Sequence, residues 1–309
     1  MNSNREGQRD IYVVIPAHGR PRLLDRTLKS LSQCERPSAY RAAYVVENGS
    51  NAGAEEIVEK YKDSLCSQYL YTPRGNKSNA LNKALEQIER GLVVFFDDDV
   101  RLHPRVLEAY AEAASDIAGG AFFGGPTQVD YEEEPPNWML KYLPASAAGW
   151  PRGELEDEIT FLGFNWAAFA EDLEACGGFD PAVGPGTRST GQETEMQQRL
   201  REQGAEGTYV PEALVWHYVP RSRCSPSWIL DRAHRDGVGF GYILWDVDAD
   251  TWGYPLWVWK GLLKRIGELS WAGLLGSRQQ FFGARYQFQK YIGKMRGAKM
   301  RGDPRTFRK

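Results

Sequence analysis

Two periods of apolar spacing alternate along the first hundred residues. Ile11–Pro16 (IYVVIP) is a continuous apolar run of strand length. In 20–33 Leu23, Leu24, Leu28 and Leu31 recur at helical spacing. The alternation continues with strands over 42–48 and 68–72, helices over 54–65 and 78–91, and a fourth strand, VVFF, that enters Asp97–Asp99. A βαβαβαβ order of this kind predicts an α/β fold with a mostly parallel sheet and right-handed crossovers. Ligands of such sheets bind beyond the carboxyl ends of the strands. Pro16–Arg20, Glu47–Ser50 and Asp97–Asp99 all fall at those ends.

The pattern loosens over 119–220. A glycine-rich strand is expected over 119–130, followed by an acidic, proline-containing loop (131–138). Further strands are expected over 161–170 and 209–219, with a helix over 191–204 that Gly204 closes. No GxGxxG lies between a strand and a helix, so the glycines are no dinucleotide fingerprint. Residues 254–276 read as an aromatic, basic amphipathic helix.

The aspartate triplet is the strongest chemical signal. Clustered carboxylates at the end of a buried strand repel one another and are costly to desolvate. A divalent cation relieves that cost. Mg²⁺ and Mn²⁺ prefer carboxylate oxygens, and Mg²⁺ sites usually combine one or two carboxylates with substrate phosphates. The triplet therefore suggests a metal that holds a phosphorylated ligand; a solvated acidic turn is the plainer alternative.

Composition narrows the class. With 42% hydrophobic and 26% charged residues the chain reads as globular, and 12% aromatics with ten Trp hint at stacking surfaces or an interface. Four scattered cysteines, Cys34, Cys66, Cys176 and Cys224, lack CxxC spacing, which argues against a zinc site and fits a reducing compartment. The first residues lack an apolar h-region, and no run of eighteen apolar residues occurs, so a cytoplasmic enzyme is expected. The net charge of −3 hides an asymmetry: residues 255–309 carry thirteen Lys and Arg against Glu268 and Asp303. That leaves +11 in the tail and −14 in the body.

Six motifs, in order over roughly 11–240, resemble the family-2 glycosyltransferases, inverting enzymes of GT-A fold that use nucleotide-sugar donors. VVIPAHGRPRLLDRTLKSL (13–31) is similar to the family's opening strand and helix, with His18 and Gly19 in place of Tyr-Asn. VVENGS (45–50) has Glu47 where Asp is usual. GNKSNALNKAL (75–85) and FFDDDV, a DxD of Asp97 and Asp99, follow. The stretch from Gly177 to Gly204 is similar to the family's acidic-helix motif, with Gln192 and Glu193 for Glu-Asp. VWHYVPRSR closes the match.

The resemblance implies a Rossmann-like nucleotide-binding GT-A domain over 11–240, with a nucleotide half (11–105) and an acceptor half (106–240). A flexible stretch (1–10) precedes it, and a helical extension (241–309) follows. It implies a metal, Mn²⁺ or Mg²⁺, held by Asp99 and His217, with Asp97 on the ribose or the ion. Donor contacts fall on Pro16, Ala17, Arg20, Glu47, Asn48, Lys77, Asn82, Asp97 and Asp98. A carboxylate at Glu47 suits the imide N–H of uracil, which favours a UDP-sugar. Glu193 is the expected general base, with Glu195 as fallback, and Asn165, Trp166 and Gln192 face the acceptor, a glycan or lipid-linked saccharide of polysaccharide biosynthesis.

A nucleotidyltransferase, a retaining GT-A transferase and an inactive sugar- or nucleotide-binding protein stay open as alternatives. The tail, 254–309, suits a peripheral contact at the inner face of a membrane. Packing on the enzyme body or in a homodimer explains it equally. No nucleic-acid-binding motif accompanies the basic residues.

Overall fold

The computed structural model describes residues 9–150, 160–245, 247 and 253–302. The expected flexible start, up to residue 8, and the last basic residues, 303–309, lie outside these. Contacts divide the chain into two units. The first comprises 1–130, 149–181 and 192–218; the second comprises 131–148, 182–191 and 219–309.

The first unit opens with the alternation read from the sequence: β1 (Ile11–Ala17), α1 (Pro21–Ser32), β2 (Tyr40–Asn48), α2 (Ala54–Lys60), the single turn α3 (Lys62–Leu65), β3 (Ser67–Thr72), α4 (Lys77–Leu85) and β4 (Leu92–Phe96). Pro21 starts α1, where its missing N–H costs nothing, and the Asn76 side chain caps α4 by accepting from the Asn79 N–H. The short strand β5 (Val100–Leu102) and helix α5 (Val106–Ala114) follow.

The expected strand over 119–130 divides at Gly125–Pro126 into β6 (Ala121–Gly124) and β7 (Thr127–Tyr131), which join different sheets. Proline has no N–H for a ladder, so a strand breaks there readily. Two single turns, α6 (Asn137–Leu140) and α7 (Ala145–Ala148), precede β8 (Asn165–Phe169), α8 (Ala170–Ala175) and α9 (Gln192–Glu202). The strand expected over 209–219 is likewise two, β9 (Glu206–Tyr209) and β10 (Val215–Val219).

The large sheet has the order β3-β2-β1-β4-β8-β6-β9, and the small one β5-β10-β7. The first four strands pair in parallel, while β8 runs antiparallel to both β4 and β6. Both faces of the large sheet are covered. Val94 and Phe96 enter the apolar cluster that includes Leu24 and Leu28 of α1, whereas Val93 and Phe95 enter the one that includes Ala80 and Leu81 of α4. Burial on both faces explains why β4 reads as an unbroken apolar run. The register sets Ala17 beside Glu47, and Phe96 beside Asn165, so the polar tips share one edge.

The second unit carries α10 (Pro226–Ile243), α11 (Leu256–Leu275) and α12 (Arg278–Gly302), preceded by a 3-10 turn at Arg221–Cys224. The domain boundary expected at 240 falls inside α10. Glycines let α10 and α12 touch backbone to backbone. A Cβ at Gly237 would lie 2.2 Å from the Lys290 carbonyl oxygen, and one at Gly293 would lie 2.1 Å from that of His234. Gly241 and Gly297 repeat the arrangement one turn on, each within 2.1 Å of a facing carbonyl oxygen. Tyr291 ties α12 to α11 by donating to the Val258 carbonyl at 2.8 Å.

Candidate active site

β4 ends at Phe96, and the three aspartates follow in the turn that leads into β5, where they take different partners. Asp97 meets α4, where Lys77 Nζ donates to its Oδ1 at 2.5 Å. Asp98, in the turn, lies beside the tip of β1. It is fully buried, accepts the His18 backbone N–H at 3.1 Å and pairs with Arg20. Burial pushes its carboxyl up to about 7, with Asp99 and Asp97 adding to the rise while Arg20 and the His18 N–H oppose it. Asp99 receives the other arm of the same guanidinium. Arg20 itself is held firmly charged, its desolvation outweighed by the three aspartates.

His217 reaches the triplet through the small sheet. It sits opposite Val100 in the β10–β5 register, and the Tyr218 N–H donates to the Asp99 carbonyl at 2.9 Å. Thr27 anchors the other side of β5, donating to the Val100 carbonyl at 2.9 Å and accepting its N–H at 3.1 Å. The imidazole stacks on Phe164, 4.5 Å between centroids at 14°. Its Nε2 lies 3.4 Å from Asp99 Oδ1.

Two buried atoms of the type that divalent ions accept as ligands, a carboxylate oxygen and an imidazole nitrogen, thus converge. Among the described residues, no three His, Cys, Asp or Glu side chains gather around one point. Asp97 is turned to Lys77, away from this pair.

The tips of β1 and β2 are braced against each other. The Asn48 side chain donates to the Ala17 carbonyl at 2.9 Å, and the Asn48 backbone carbonyl lies 2.6 Å from His18 Nδ1. Pro16 and Ala17 are buried in the β1–β2 ladder. Gly49 turns the chain with φ of +83°, and a Cβ there would meet His18 at 2.9 Å. Glu47 is 1% exposed and engaged inward: Oε1 accepts the Ala52 N–H and Oε2 the Tyr69 hydroxyl, both at 2.7 Å. It braces β2 against β3, so the feature behind the uridine preference faces the interior.

Glu193 lies in the first turn of α9, where backbone N–H groups favour an anion. Its carboxylate packs against the bare backbone of Gly163: a Cβ there would sit 2.9 Å from Glu193 Cδ and 3.2 Å from Gln192 Nε2. The Gly163 carbonyl accepts from Lys77 at 3.4 Å. One glycine therefore separates the Lys77–Asp97 pair from the Glu193 carboxylate.

Several expected ligands are engaged by the framework. Glu195 forms a two-point pair with Arg199, at 2.6 and 2.7 Å, and Arg199 also donates to the Cys176 and Gly178 carbonyls. Asn82 clamps the Phe179 backbone, accepting its N–H at 2.7 Å and donating to its carbonyl at 2.8 Å. Asn165 is fully buried, accepts from Tyr110 at 2.8 Å and donates to the carbonyls of Pro126 and Ala213. Trp166, 1% exposed, stacks on Phe95 at 4.8 Å, so the expected sugar platform is core. Adjacent on β8, the two face opposite sides of the sheet, and both are buried because the strand is covered on its two faces. Gly163, Phe164 and the His18 backbone were not singled out from the sequence; the glycine before an aromatic strand was the available signal for the first.

The glycosyltransferase-like family 2 profile matches residues 8–238. No curated protein sequence matches the chain. Among solved structures, the fold is similar to the mannosyltransferase PcManGT from Pyrobaculum calidifontis in complex with GDP-Man and Mn²⁺. The TM-score is 0.60 at 19% identity, covering 96% of this chain and 88% of that one. It is also similar to S. aureus TarS, with a TM-score of 0.51 at 16% identity over 74% of this chain and 39% of that one. TarS 1-349 gives 0.50 at 15% identity over 91% and 90%. The parallel strand order, the polar strand tips at one edge and the profile match over three quarters of the length agree: the chain is a glycosyltransferase of the family-2-like group, with a GT-A fold.

Proposed function

We propose that the chain transfers a glycosyl group, with inversion, from a nucleoside-diphosphate sugar to a hydroxyl of a glycan or lipid-linked saccharide. The observation that carries this is the Glu193 carboxylate set against Gly163 beside Lys77 and Asp97. Inverting transfer needs a base facing the anomeric carbon and positive charge on the leaving-group side. One backbone segment supports a candidate for each.

In the reaction, Glu193 accepts the proton of the acceptor hydroxyl as that oxygen bonds to the anomeric carbon. The bond from that carbon to the β-phosphate oxygen breaks, and its electron pair leaves on the diphosphate. Lys77 places an ammonium near the departing charge, with Asp97 fixing its position. Arg20 binds Asp98 and Asp99 with its two arms and offsets the mutual repulsion that would otherwise drive them apart. Asp99 and His217 would hold the divalent ion, Mn²⁺ or Mg²⁺; when bound, it supplies Lewis-acid stabilisation of the diphosphate. The GDP-Man and Mn²⁺ of the P. calidifontis neighbour support the donor class and the metal. Because Glu47 is engaged internally, the reading commits to the diphosphate and not to a particular base.

The test is a panel of UDP-, GDP- and dTDP-sugars with Mn²⁺ or Mg²⁺ and saccharide acceptors, following nucleoside diphosphate release and the product anomer by NMR. Inverted product, abolished by Asp99→Asn, is expected. Retained configuration would point to a retaining transferase, and pyrophosphate release to a nucleotidyltransferase. Absence of turnover and of donor binding with every metal would sink the reading.

A further inference from the structure

α11 is inside out. In a helix packed on a protein body the large apolar residues face inward. Here the inward face is carried by Val258 and Ala272, the two buried residues of the helix, with Leu262 and Leu269 half-buried beside them. The opposite face presents Leu274 at 82% exposure, Leu256 at 72%, Trp271 at 68% and Leu263 at 66%. Leu256, Leu263, Trp271 and Leu274 fall within one stripe at 100° per residue. Trp259 and Ile266 flank it on one side, and Trp257 and Leu275 on the other, all exposed.

Isolated exposed leucines are ordinary, but eight exposed large apolar residues on one side of a five-turn helix, interrupted by Lys260 and Lys264, are not. No described helix is long and apolar enough to cross a membrane.

Charge identifies the occupant. Lys260 and Lys264 rise from the same exposed side of α11. Arg278, Arg285, Arg296, Lys299 and Arg301 are exposed on α12. Glu268 is the sole acidic residue from Tyr254 to Gly302, and it is engaged with Arg265 at 2.7 Å. A homodimer through this face would bring two such basic helices together without compensating carboxylates. An anionic bilayer supplies both an apolar interior for Leu and Trp and phosphates for Lys and Arg. Long lysine side chains suit that boundary, because their stems lie along apolar surface while the ammonium stays at the headgroups.

We propose that α11 lies in the interfacial plane of an anionic lipid bilayer, with Leu256, Leu263, Trp271 and Leu274 immersed and the Lys and Arg of α11 and α12 on the headgroups. This surface is independent of the glycosyl-transfer reading, since none of these residues belongs to the candidate site.

The experiment is sedimentation of the full-length protein with vesicles of phosphatidylcholine alone or of phosphatidylcholine with 30% phosphatidylglycerol. Tryptophan quenching by brominated lipid is read in parallel. Binding to the anionic vesicles at low salt is expected, at least tenfold weaker on neutral vesicles and in high salt, with quenching by the brominated chains. The double substitution Leu263→Glu/Leu274→Glu, at positions too exposed to matter for folding, should reduce binding tenfold or more while leaving the melting temperature unchanged. No binding to either vesicle would overturn the proposal. A stable dimer in sedimentation velocity that the same double substitution dissociates would overturn it in favour of a second copy as occupant.

Discussion

Gly163 and Glu193 occupy one another's space: a Cβ on the glycine would come within 2.9 Å of Glu193 Cδ and 3.1 Å of its Oε2. The carboxylate is seated where only a residue without a side chain leaves room. Gly163 is not among the glycines with positive φ, so the position is restricted by space and not by backbone conformation.

Two substitutions separate the proposed base from its seat. Glu193→Gln keeps the shape and removes the proton acceptor, and should lower kcat roughly 100- to 10,000-fold with donor binding retained. Gly163→Ala keeps the carboxylate but displaces it, and should lower kcat about tenfold or more with little effect on donor KM, since misplacement of a reacting group by an ångström is that costly. Steady-state kinetics of both variants check the pair. Full activity in Glu193→Gln would move the base elsewhere.

Arg20 neutralises two aspartates at once, and Asp98 is the more deeply buried. Arg20→Ala leaves a buried carboxylate without its countercharge and should cost roughly 2 kcal/mol, below the range for fully buried pairs because Arg20 is a third exposed. Adding Asp98→Asn should restore part of that loss. Urea unfolding of both singles and the double gives the interaction directly, and strict additivity would show that the contact contributes nothing.

The helix glycines of the second unit should respond with opposite signs. Gly293→Ala drives a Cβ to within 2.1 Å of the His234 carbonyl oxygen and should cost about 1–3 kcal/mol. Gly267→Ala, in α11, meets nothing within 4 Å and should gain roughly 0.5–1 kcal/mol from helix propensity. Thermal melts of the two variants decide this; a shared sign would refute the close crossing.

Cys34 offers a pH test. Burial pushes its thiol up to about 12 from an ordinary value of 9.0, with Arg36 opposing the rise. The unfolded thiol ionises first as pH rises, so its contribution to stability is complete below pH 9.0 and is lost progressively toward 12. Wild type should therefore lose stability relative to Cys34→Ala across that window, measured as the difference in melting temperature. The exposed Cys66 should react with a thiol reagent well before Cys34.

Much of the first hundred residues was legible because their signals are local. Leu24, Leu28 and Leu31 mark the buried face of α1, and a strand covered on both faces must be apolar throughout, as β4 is. The divided strands at Gly125–Pro126 and between β9 and β10 were not legible, because apolar runs do not say which sheet receives them. The aspartates, Glu193 and His217 stood out as candidate chemistry, while the equally suggestive Glu47, Asn82, Asn165 and Glu195 are held in internal hydrogen bonds and ion pairs. A polar side chain's partners come from distant parts of the chain, as Asn165 meets Pro126 and Ala213.

By itself the sequence determined the α/β alternation, the polar strand tips and the basic, aromatic C-terminal helices, since each follows from periodicity and composition within a few turns of chain. Only the tertiary structure decided how the three aspartates divide their partners among Lys77, Arg20 and His217, and that Glu193 rests against Gly163. It also decided that Trp166 is core while Trp271 faces outward. Apolar character says that a ring will leave water or seek a partner, and the packing of distant elements settles which.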